Sequence, residues 1–568
     1  MKPNFIVRIR VVMVLVLLFG LILVSKLYLV QIRSGESFSS KANRQYATPN
    51  QTLFDRGIIY FSGRDGIPSA AATLKDGYTL VMIPRTLKDA GDAYMKLSKL
   101  ITLDKDTFFI KAAKINDPHE ELAKHVDKDV GLAIDALKIP GIAVYADRWR
   151  FYPGGSSASH VIGFTGFSNN NIIAGRYGLE RTYESTLTKE TKSLYVNFFA
   201  EIFAGLNKTI LQGKPEGDIT TTIEPTVQSY AEKTIKKIGD TWKSEVTGII
   251  IIDPVTGEIK TMASYPAFNP NSFQSEKDVS IFTNPMVENV YEMGSIVKPL
   301  TIAAAIDVGA ITAATTYVDN GFLILDGKKI SNFDGVGRGR INMQVVLNES
   351  LNTGAAFAES KMGNETFSQY MYDFGIGELT GIDLPNEAKG IVNNLKSPRD
   401  IEHATASYGQ GIAMTPVNTV RALSALANGG NIMQPHVVKD ISYTLGYTKK
   451  IEPLVQKNVL KKTTSEEISR MLVQAVDTAL VGGKLKIQHY SIAAKTGTAQ
   501  IADPHGGYYS DRVLHSFFGY FPAYNPKFLV FIFTKSPHGA AFAGETLATP
   551  FIDITKFLIN YYQIPPDR

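Results

Sequence analysis

Three short motifs in the second half of the chain contain the side chains that acyl transfer through a serine requires. In chain order they are Ser295-Ile-Val-Lys298, Ser350-Leu-Asn352 and Lys495-Thr-Gly497. A serine hydroxyl is a poor nucleophile until a neighbouring base takes its proton. Ser295 and Lys298 are three residues apart, so on a helix their side chains lie on one face, where the amine can reach the hydroxyl. The first motif therefore predicts a nucleophile, Ser295, and its base, Lys298.

The first two motifs together supply the groups that proton transfer needs. Lys298 can accept a proton only as a neutral amine, and burial near the positive end of a helix favours that form. Ser350 is expected to pass a proton to the leaving amine. Asn352 is expected to hold an amide group of the substrate.

The third motif predicts substrate binding. Lys495 and Thr496 are expected to bind a carboxylate of the substrate. The acyl oxygen becomes an anion in the tetrahedral intermediate, and the backbone N–H groups of Ser295 and Thr498 are expected to bind it. One such donor typically contributes ~3–4 kcal/mol of stabilisation. We therefore expect Thr496, Gly497 and Thr498 to line the substrate site beside Lys495.

The sequence around the motifs argues against the alternative that they are coincidental surface patterns. Each motif alone is short enough to occur by chance. Ser295, however, follows Gly294 and precedes an apolar run at 300–308, with Pro299 where a first helical turn tolerates it. Lys495 follows an apolar segment at 491–494 that is typical of a strand. A helix at the serine and a strand at Lys495 are the elements that must position the site.

Composition limits the class of protein. The chain of 568 residues has room for about two to four domains, and its 44% hydrophobic and 20% charged residues are ordinary for a folded protein. Five of the 59 basic side chains lie in the first 33 residues, which contain no acid, so the remainder has 54 basic and 54 acidic side chains. This balance argues against nucleic acid as a partner.

Metal and cofactor signals are missing from the sequence. Cysteine is absent, which excludes disulfides, cysteine nucleophiles and thiolate metal sites. The nine histidines are scattered, and none lies in a His-Glu-x-x-His pattern. We therefore expect neither a metal nor a cofactor.

Residues 11–32 are apolar apart from Lys26 and predict a membrane anchor. As a helix this segment is about 33 Å long, which matches a hydrocarbon core of about 30 Å. Three basic residues precede it, so residues 1–10 are expected to stay in the cytoplasm. A cleaved signal peptide is the competing interpretation, but no small-x-small pattern precedes Leu27. We expect a single-pass protein of the cytoplasmic membrane whose body lies on the outer side.

The remaining chain is expected to divide near a Gly/Pro-containing linker at 212–217. Residues 33–215 are predicted to form a strand-rich pedestal domain, with a strand at 141–145 and a peripheral lobe that is helical at 88–110 and 117–139.

Residues 216–568 show a different pattern. Strand pairs at 246–263 and 514–533 enclose helical runs from 295 to 430, which predicts an α+β domain with an antiparallel sheet. Because Lys495 lies just before the late strand pair, its strand is expected to be central in that sheet.

With these motifs the chain resembles the class B penicillin-binding proteins, and more narrowly the septal division transpeptidases of the FtsI type. The lead-in Asn284-Pro-Met-Val-Glu-Asn-Val-Tyr-Glu-Met-Gly-Ser295, the segment Ala406-Ser-Tyr-Gly-Gln-Gly-Ile412 and the run Lys495-Thr-Gly-Thr-Ala-Gln500 carry this resemblance. In the pedestal, Arg56-Gly57 and Gly178-Leu-Glu180 are similar to family motifs. The resemblance implies that residues 216–568 have the penicillin-binding, serine β-lactamase-like transpeptidase fold.

The resemblance also implies a function. The substrate is expected to be the D-alanyl-D-alanine end of a peptidoglycan stem peptide, which Ser295 attacks before an amine of a neighbouring stem completes the cross-link. β-Lactams are expected to acylate Ser295, and a multi-span glycan polymerase and divisome proteins are expected as partners. The alternatives are an elongation-type transpeptidase, a D,D-carboxypeptidase or β-lactamase, and a silent penicillin sensor.

Overall fold

The computed structural model describes Met13 and residues 17–21, 54–167, 173–189, 216–444 and 446–568. The expected cytoplasmic tail, nearly all of the anchor and most of the 212–217 linker lie outside these residues. Within the described residues, no helix has both the length and the apolar character needed to span a bilayer. The anchor and the domain boundaries therefore stay predictions.

The chain folds into two compact units. Among the described residues, the smaller unit is built mainly of 76–149, and the larger is built of 55–75, 150–189 and 216–568. The strands Pro68–Met82 and Ile142–Phe151 have residues in both units.

The smaller unit packs helices against a strand pair. Its helices are Ala90–Leu97, Lys105–Ala112 and Lys128–Ala136. The helix predicted over 117–139 is wrong in its first half, because Glu120–Asp127 is a strand that pairs with residues 77–82. That pairing buries Leu80 and Val126 in one core, so tertiary packing outweighs the local helix propensity of this segment.

A buried ion cluster holds together the pedestal segments of the larger unit. Glu180 is fully buried, and each of its two carboxylate oxygens accepts a hydrogen bond of 2.6 Å, one from Arg56 Nε and one from Arg150 Nε. Arg56 also binds Glu184 at 2.7 Å. Two guanidinium groups thus meet two carboxylates, and the pedestal motifs at Arg56 and Glu180 are partners in one network.

The sheet of the larger unit that contains Lys495 has five antiparallel strands. They are β1 (Val246–Ile252), β2 (Ile259–Tyr265), β3 (Ala493–Ala502), β4 (Tyr508–Phe521) and β5 (Phe528–Lys535), in the order β3-β4-β5-β1-β2. The two predicted strand pairs are confirmed. The strand of Lys495, β3, is at the edge and not in the centre, because the β1–β2 hairpin joins the sheet at β5.

Both faces of this sheet are covered by separate cores. Ile249 and Ile251 of β1 join a core with helices α1 (Pro225–Trp242) and α4 (Ala543–Tyr562). Ile250 and Ile252 point to the opposite core, which includes helix α2 (Lys298–Asp307). The alternation follows from the two-residue period of a strand and makes β1 apolar throughout.

Helices and short strand pairs complete the larger unit. The helices of its middle region are Met343–Glu349, α3 (Asn352–Met362), Asn364–Asp373, Asp400–Ala406, Pro416–Ala427 and Lys462–Thr478. The short strand pairs are Thr316–Asp319 with Gly339–Asn342, Phe322–Leu325 with Lys328–Ser331, and Asn431–Met433 with Val455–Asn458. A second sheet has the order Thr448–Lys450, Val438–Tyr443, Gly217–Thr221, Ile59–Ser62 and then Pro68–Met82.

Glu359 on α3 predicts a pH dependence of stability. Its side chain is 2% exposed, and its Oε1 has no hydrogen-bond partner in the described chain. Burial, with the charge of Asp400 adding to it, raises the pKa of Glu359 from 4.5 to about 7. Between these values the folded state keeps a proton that the unfolded state loses, so the free energy of unfolding falls as pH rises, by about 3 kcal/mol.

Glu359→Gln is expected to remove this part of the pH dependence. Denaturant or thermal unfolding of the parent and the variant between pH 4.5 and 8 measures it, with Glu365→Gln, an exposed position on the next helix, as the control. A difference between parent and Glu359→Gln that stays constant over this range would contradict the assignment.

Candidate active site

Ser295 lies on a tight turn that runs directly into α2. Residues Gly294–Ile296 form a 3-10 turn, and hydrogen bonds from Val297 N to Gly294 O at 3.1 Å and from Leu300 N to Val297 O at 2.9 Å continue it into the helix. Pro299 lies in the first turn of the helix, where backbone N–H groups have no acceptor within the helix, so the missing N–H of proline costs no hydrogen bond. Ser295 is partly exposed between buried neighbours, so its hydroxyl is accessible on an otherwise fixed backbone.

Lys298 is a buried amine without a carboxylate partner among the described residues. Its side chain is fully buried, and Nζ donates to the backbone oxygen of Ser350 and to Ser350 Oγ, the latter at 3.2 Å. Burial, with the charge of Lys495 adding to it, holds the pKa of Lys298 well below its usual value. This shift favours the neutral amine that a proton acceptor needs.

Ser350 reaches Lys298 through an unusual backbone conformation. It ends the helix Met343–Glu349 with a φ of 58°, and its N–H donates to Val346 O. This left-handed turn separates two helices, because Asn352 begins α3. Asn352 Nδ2 donates to Ser331 O at 2.8 Å, which fixes the amide and leaves its oxygen without a donor among the described residues.

Lys495, in the edge strand β3, is also buried. It is 2% exposed, and Nζ donates to Thr496 O at 3.1 Å. Burial lowers the pKa of Lys495 to about 7. Thr496 and Thr498 are partly exposed, and Thr498 Oγ1 accepts from the backbone N–H of Ala543 at 3.2 Å.

The first and third motifs approach each other through backbone atoms. A Cβ on Gly497 would lie 2.5 Å from Met293 O, and a Cβ on Gly294 would lie 2.8 Å from Thr498 O. Gly294 also has a φ of +65°. Ser516 Oγ on β4 donates to Met293 O at 2.9 Å and so also links the sheet to the turn of Ser295. Glycine is needed at both positions because any side chain would push β3 away from the serine turn.

The structure thus brings parts of all three motifs together, whereas the Asn352 amide bonds to Ser331 O. Lys298 contacts Ser350, and the backbone of β3 contacts the turn of Ser295. Sequence reasoning missed Ser516 and the segment 407–409 as parts of the site, although 406–412 was recognised as a family motif. Gly409 O accepts from Gly294 N at 3.1 Å, and the Tyr408 ring centre lies 6.0 Å from Lys298 Nζ. No spacing rule indicates these contacts, since they join segments more than 100 residues apart.

Comparison with known proteins assigns the chain to a family. Residues 247–556 match the penicillin binding protein transpeptidase domain, and residues 55–198 match the penicillin-binding protein dimerisation domain. Stage V sporulation protein D of Bacillus subtilis is 30% identical over 96% of this chain and 85% of its own length. Peptidoglycan D,D-transpeptidase FtsI of Escherichia coli K12 is 26% identical over 97% of this chain and 92% of its own length.

Solved structures agree on the fold. Penicillin Binding Protein 2X from Streptococcus thermophilus superposes with a TM-score of 0.73 at 21% identity, covering 89% of this chain and 80% of that one. The fold is therefore a mixed helix-and-sheet architecture with a pedestal and a transpeptidase domain. On this evidence the chain belongs to the class B penicillin-binding proteins of the FtsI type.

Proposed function

We propose that the chain is a peptidoglycan D,D-transpeptidase that cross-links stem peptides through an acyl-Ser295 intermediate. The observation that carries this proposal is the buried Lys298 amine, which lies one helical turn from Ser295, is bonded to Ser350 and has its pKa lowered by burial. The name of the Escherichia coli relative, peptidoglycan D,D-transpeptidase, supports the same activity.

Acylation begins with proton transfer from Ser295 to Lys298. Oγ then attacks the carbonyl of the penultimate D-alanine, and the backbone N–H groups of Ser295 and Thr498 bind the oxyanion. The proton returns from Lys298 through Ser350 to the nitrogen of the terminal D-alanine, which leaves as the C–N bond breaks. A β-lactam follows the same path, but its amine stays attached to the acyl group.

Substrate binding and activation of the base are electrostatically linked. A substrate carboxylate beside Lys495 and Thr496 raises the pKa of Lys495 from about 7 and keeps it charged. That charge in turn lowers the pKa of Lys298. The free edge of β3 can accept the donor stem as an added strand, with Gly497 leaving room and Asn352 Oδ1 accepting from a substrate amide.

Ser295→Ala is expected to abolish labelling by penicillin while the fold is retained, because the variant has no nucleophile. Intact-protein and peptide mass spectrometry after penicillin treatment should find one adduct in the parent, on the peptide that contains Ser295, and none in the variant. Circular dichroism is the control for folding. An adduct on another peptide would sink the assignment.

Lys298→Ala is expected to slow acylation at least ~100-fold, the lower range for losing a positioned base. Lys298→Arg is not expected to restore the rate, since a guanidinium stays protonated. Stopped-flow acylation with a chromogenic cephalosporin measures both variants. An arginine variant that acylates at the parent rate would rule out Lys298 as the base.

Three alternatives share this site chemistry or this family. An elongation-type transpeptidase would act along the cell body and not at the septum. A silent sensor or scaffold would lack turnover of the peptide donor. A D,D-carboxypeptidase or β-lactamase would pass the acyl group to water, so the lifetime of the acyl-enzyme with and without an acceptor amine distinguishes it. The names of the FtsI relatives favour the septal transpeptidase.

We also propose the arrangement of the chain in the cell. Residues 1–10 lie in the cytoplasm, 11–32 form a single-pass anchor, 33–215 form the pedestal, and 216–568 form the transpeptidase domain outside the cytoplasmic membrane. The apolar run at 11–32 and the basic residues before it support this order. The anchor and pedestal are the parts through which a multi-span glycan polymerase and divisome proteins bind.

Removal of residues 1–33 is expected to release the protein from membranes without loss of penicillin acylation, because the proposed chemistry lies entirely after residue 290. The same truncation should fail to support septation, and a fluorescent fusion of the full chain should concentrate at division sites. Membrane fractionation, penicillin labelling and imaging measure the three effects. A soluble, folded truncation that no longer acylates would contradict the modular arrangement.

A further inference from the structure

Glu292 places a carboxylate on the segment that leads into the nucleophile turn. It lies three residues before Ser295 and is partly buried. Tyr508 Oη donates to both of its oxygens, at 3.2 and 3.0 Å, and the backbone N–H of Gly411 donates to the same group. These two donors, the tyrosine hydroxyl and the backbone N–H, hold the carboxylate in one orientation.

The donors around Glu292 are all neutral. Within the described part of the chain, no lysine, arginine or histidine pairs with this carboxylate. Burial raises the pKa of Glu292, which is the direction expected for an anion that lacks a cation. Glu184, another partly buried acid of the larger unit, has an arginine partner.

Glu292 and the base Lys298 both interact with one tyrosine, Tyr408. The Tyr408 ring centre is 6.0 Å from Lys298 Nζ. Burial raises the pKa of the Tyr408 hydroxyl, and the charges of Tyr508 and Glu292 add to that shift. The tyrosine hydroxyl has no hydrogen-bond partner among the described residues. Glu292, Tyr508 and Tyr408 therefore belong to one group of interacting acidic and hydroxyl side chains, which reaches Lys298 through the Tyr408 ring.

The two substrates of a transpeptidase differ in charge at their reacting ends. The donor presents a carboxylate and an amide, which match Lys495 and Asn352. The acceptor presents an amine, which in water is an ammonium because the usual pKa of an alkylamine is ~10. A fixed carboxylate without a cation matches an ammonium group, and hydroxyl groups beside it accept the remaining N–H donors.

We propose that Glu292, supported by Tyr508, binds the ammonium group of the acceptor stem peptide. This inference rests on the proposed function and names the residue that selects its second substrate. The ammonium gives one proton to neutral Lys298, and the free amine attacks the acyl carbon. The C–N bond forms, the bond from the acyl carbon to Ser295 Oγ breaks, and Oγ takes the second proton from nitrogen.

The test compares a charged and an uncharged nucleophile in the full-length protein. An N-acyl-D-alanyl thioester forms the acyl-enzyme, and a stem-peptide mimic with a free side-chain ammonium competes with hydroxylamine, which is neutral at pH 8. In Glu292→Gln the rate of transfer to the ammonium mimic, relative to acylation, should fall at least ~10-fold, as expected for loss of a charge-assisted contact. Transfer to hydroxylamine relative to acylation should change less than about threefold.

Two further variants define the outcome. Tyr508→Phe should lower transfer to the ammonium mimic in the same direction but less. Glu288→Gln, which alters a carboxylate four residues earlier that accepts from Asn284 N at 2.9 Å, should leave the preference between nucleophiles unchanged. An equal loss toward both nucleophiles in Glu292→Gln, no loss at all, or a parent that is acylated but never transfers to the mimic overturns the inference. A parent that is not acylated by the thioester overturns the proposed function itself.

Discussion

The catalytic group depends on one constraint, the burial of a lysine amine with no carboxylate to compensate it. Removing a charged ammonium from water is costly, and burial accordingly holds the pKa of Lys298 well below its usual value, which favours the neutral amine. Both of its hydrogen-bond acceptors come from one residue, Ser350, which needs a left-handed backbone to present its oxygen and hydroxyl together. Lys298 Nζ therefore couples three parts of the site. It lies on the helix that follows Ser295, it bonds to the turn at Ser350, and its pKa responds to the charge of Lys495.

The second constraint is the separation of backbones. The serine turn and β3 are so close that no side chain fits at Gly294 or Gly497, and Ser516 bonds across the same contact. Gly294 and Gly497, which belong to the catalytic motifs, are thus required for the packing of the backbone and not for the chemistry. Among the described residues β3 pairs with β4 on one side only and has no strand partner at its other edge, whereas both faces of the sheet are covered by helices. An edge strand is normally a risk for aggregation, but here it is the strand that carries the substrate-binding motif.

The two buried lysines and Glu292 differ in their electrostatic surroundings, and this difference bears on the order of substrate binding and proton transfer. Burial lowers the pKa of both lysines, that of Lys495 to about 7, and the charge of Lys495 lowers the pKa of Lys298 further. An arriving carboxylate is therefore expected to keep Lys495 charged and to favour the neutral form of Lys298 that acts as base. Glu292 also acts on Tyr408, and all its donors among the described residues are neutral. Lys495 thus suits a donor substrate that ends in a carboxylate, and Glu292 suits an acceptor substrate that carries an ammonium group, with Lys298 as the base.

Local features of the chain were predictable from the sequence by itself. The pair of Ser295 and Lys298 on one helical turn, the strand at Lys495, the two hairpins around 246–263 and 514–533, and the family motifs are all encoded within a few residues, where periodicity and turn chemistry act. The sequence pattern did not predict what depends on distant partners. Glu120–Asp127 became a strand because residues 77–82 pair with it, and β3 became an edge because β1 pairs with β5. Tyr408 and Ser516 entered the site from remote segments. Only tertiary structure decides such contacts, because strand pairing and burial are set by the partner that packs against a segment and not by the segment alone.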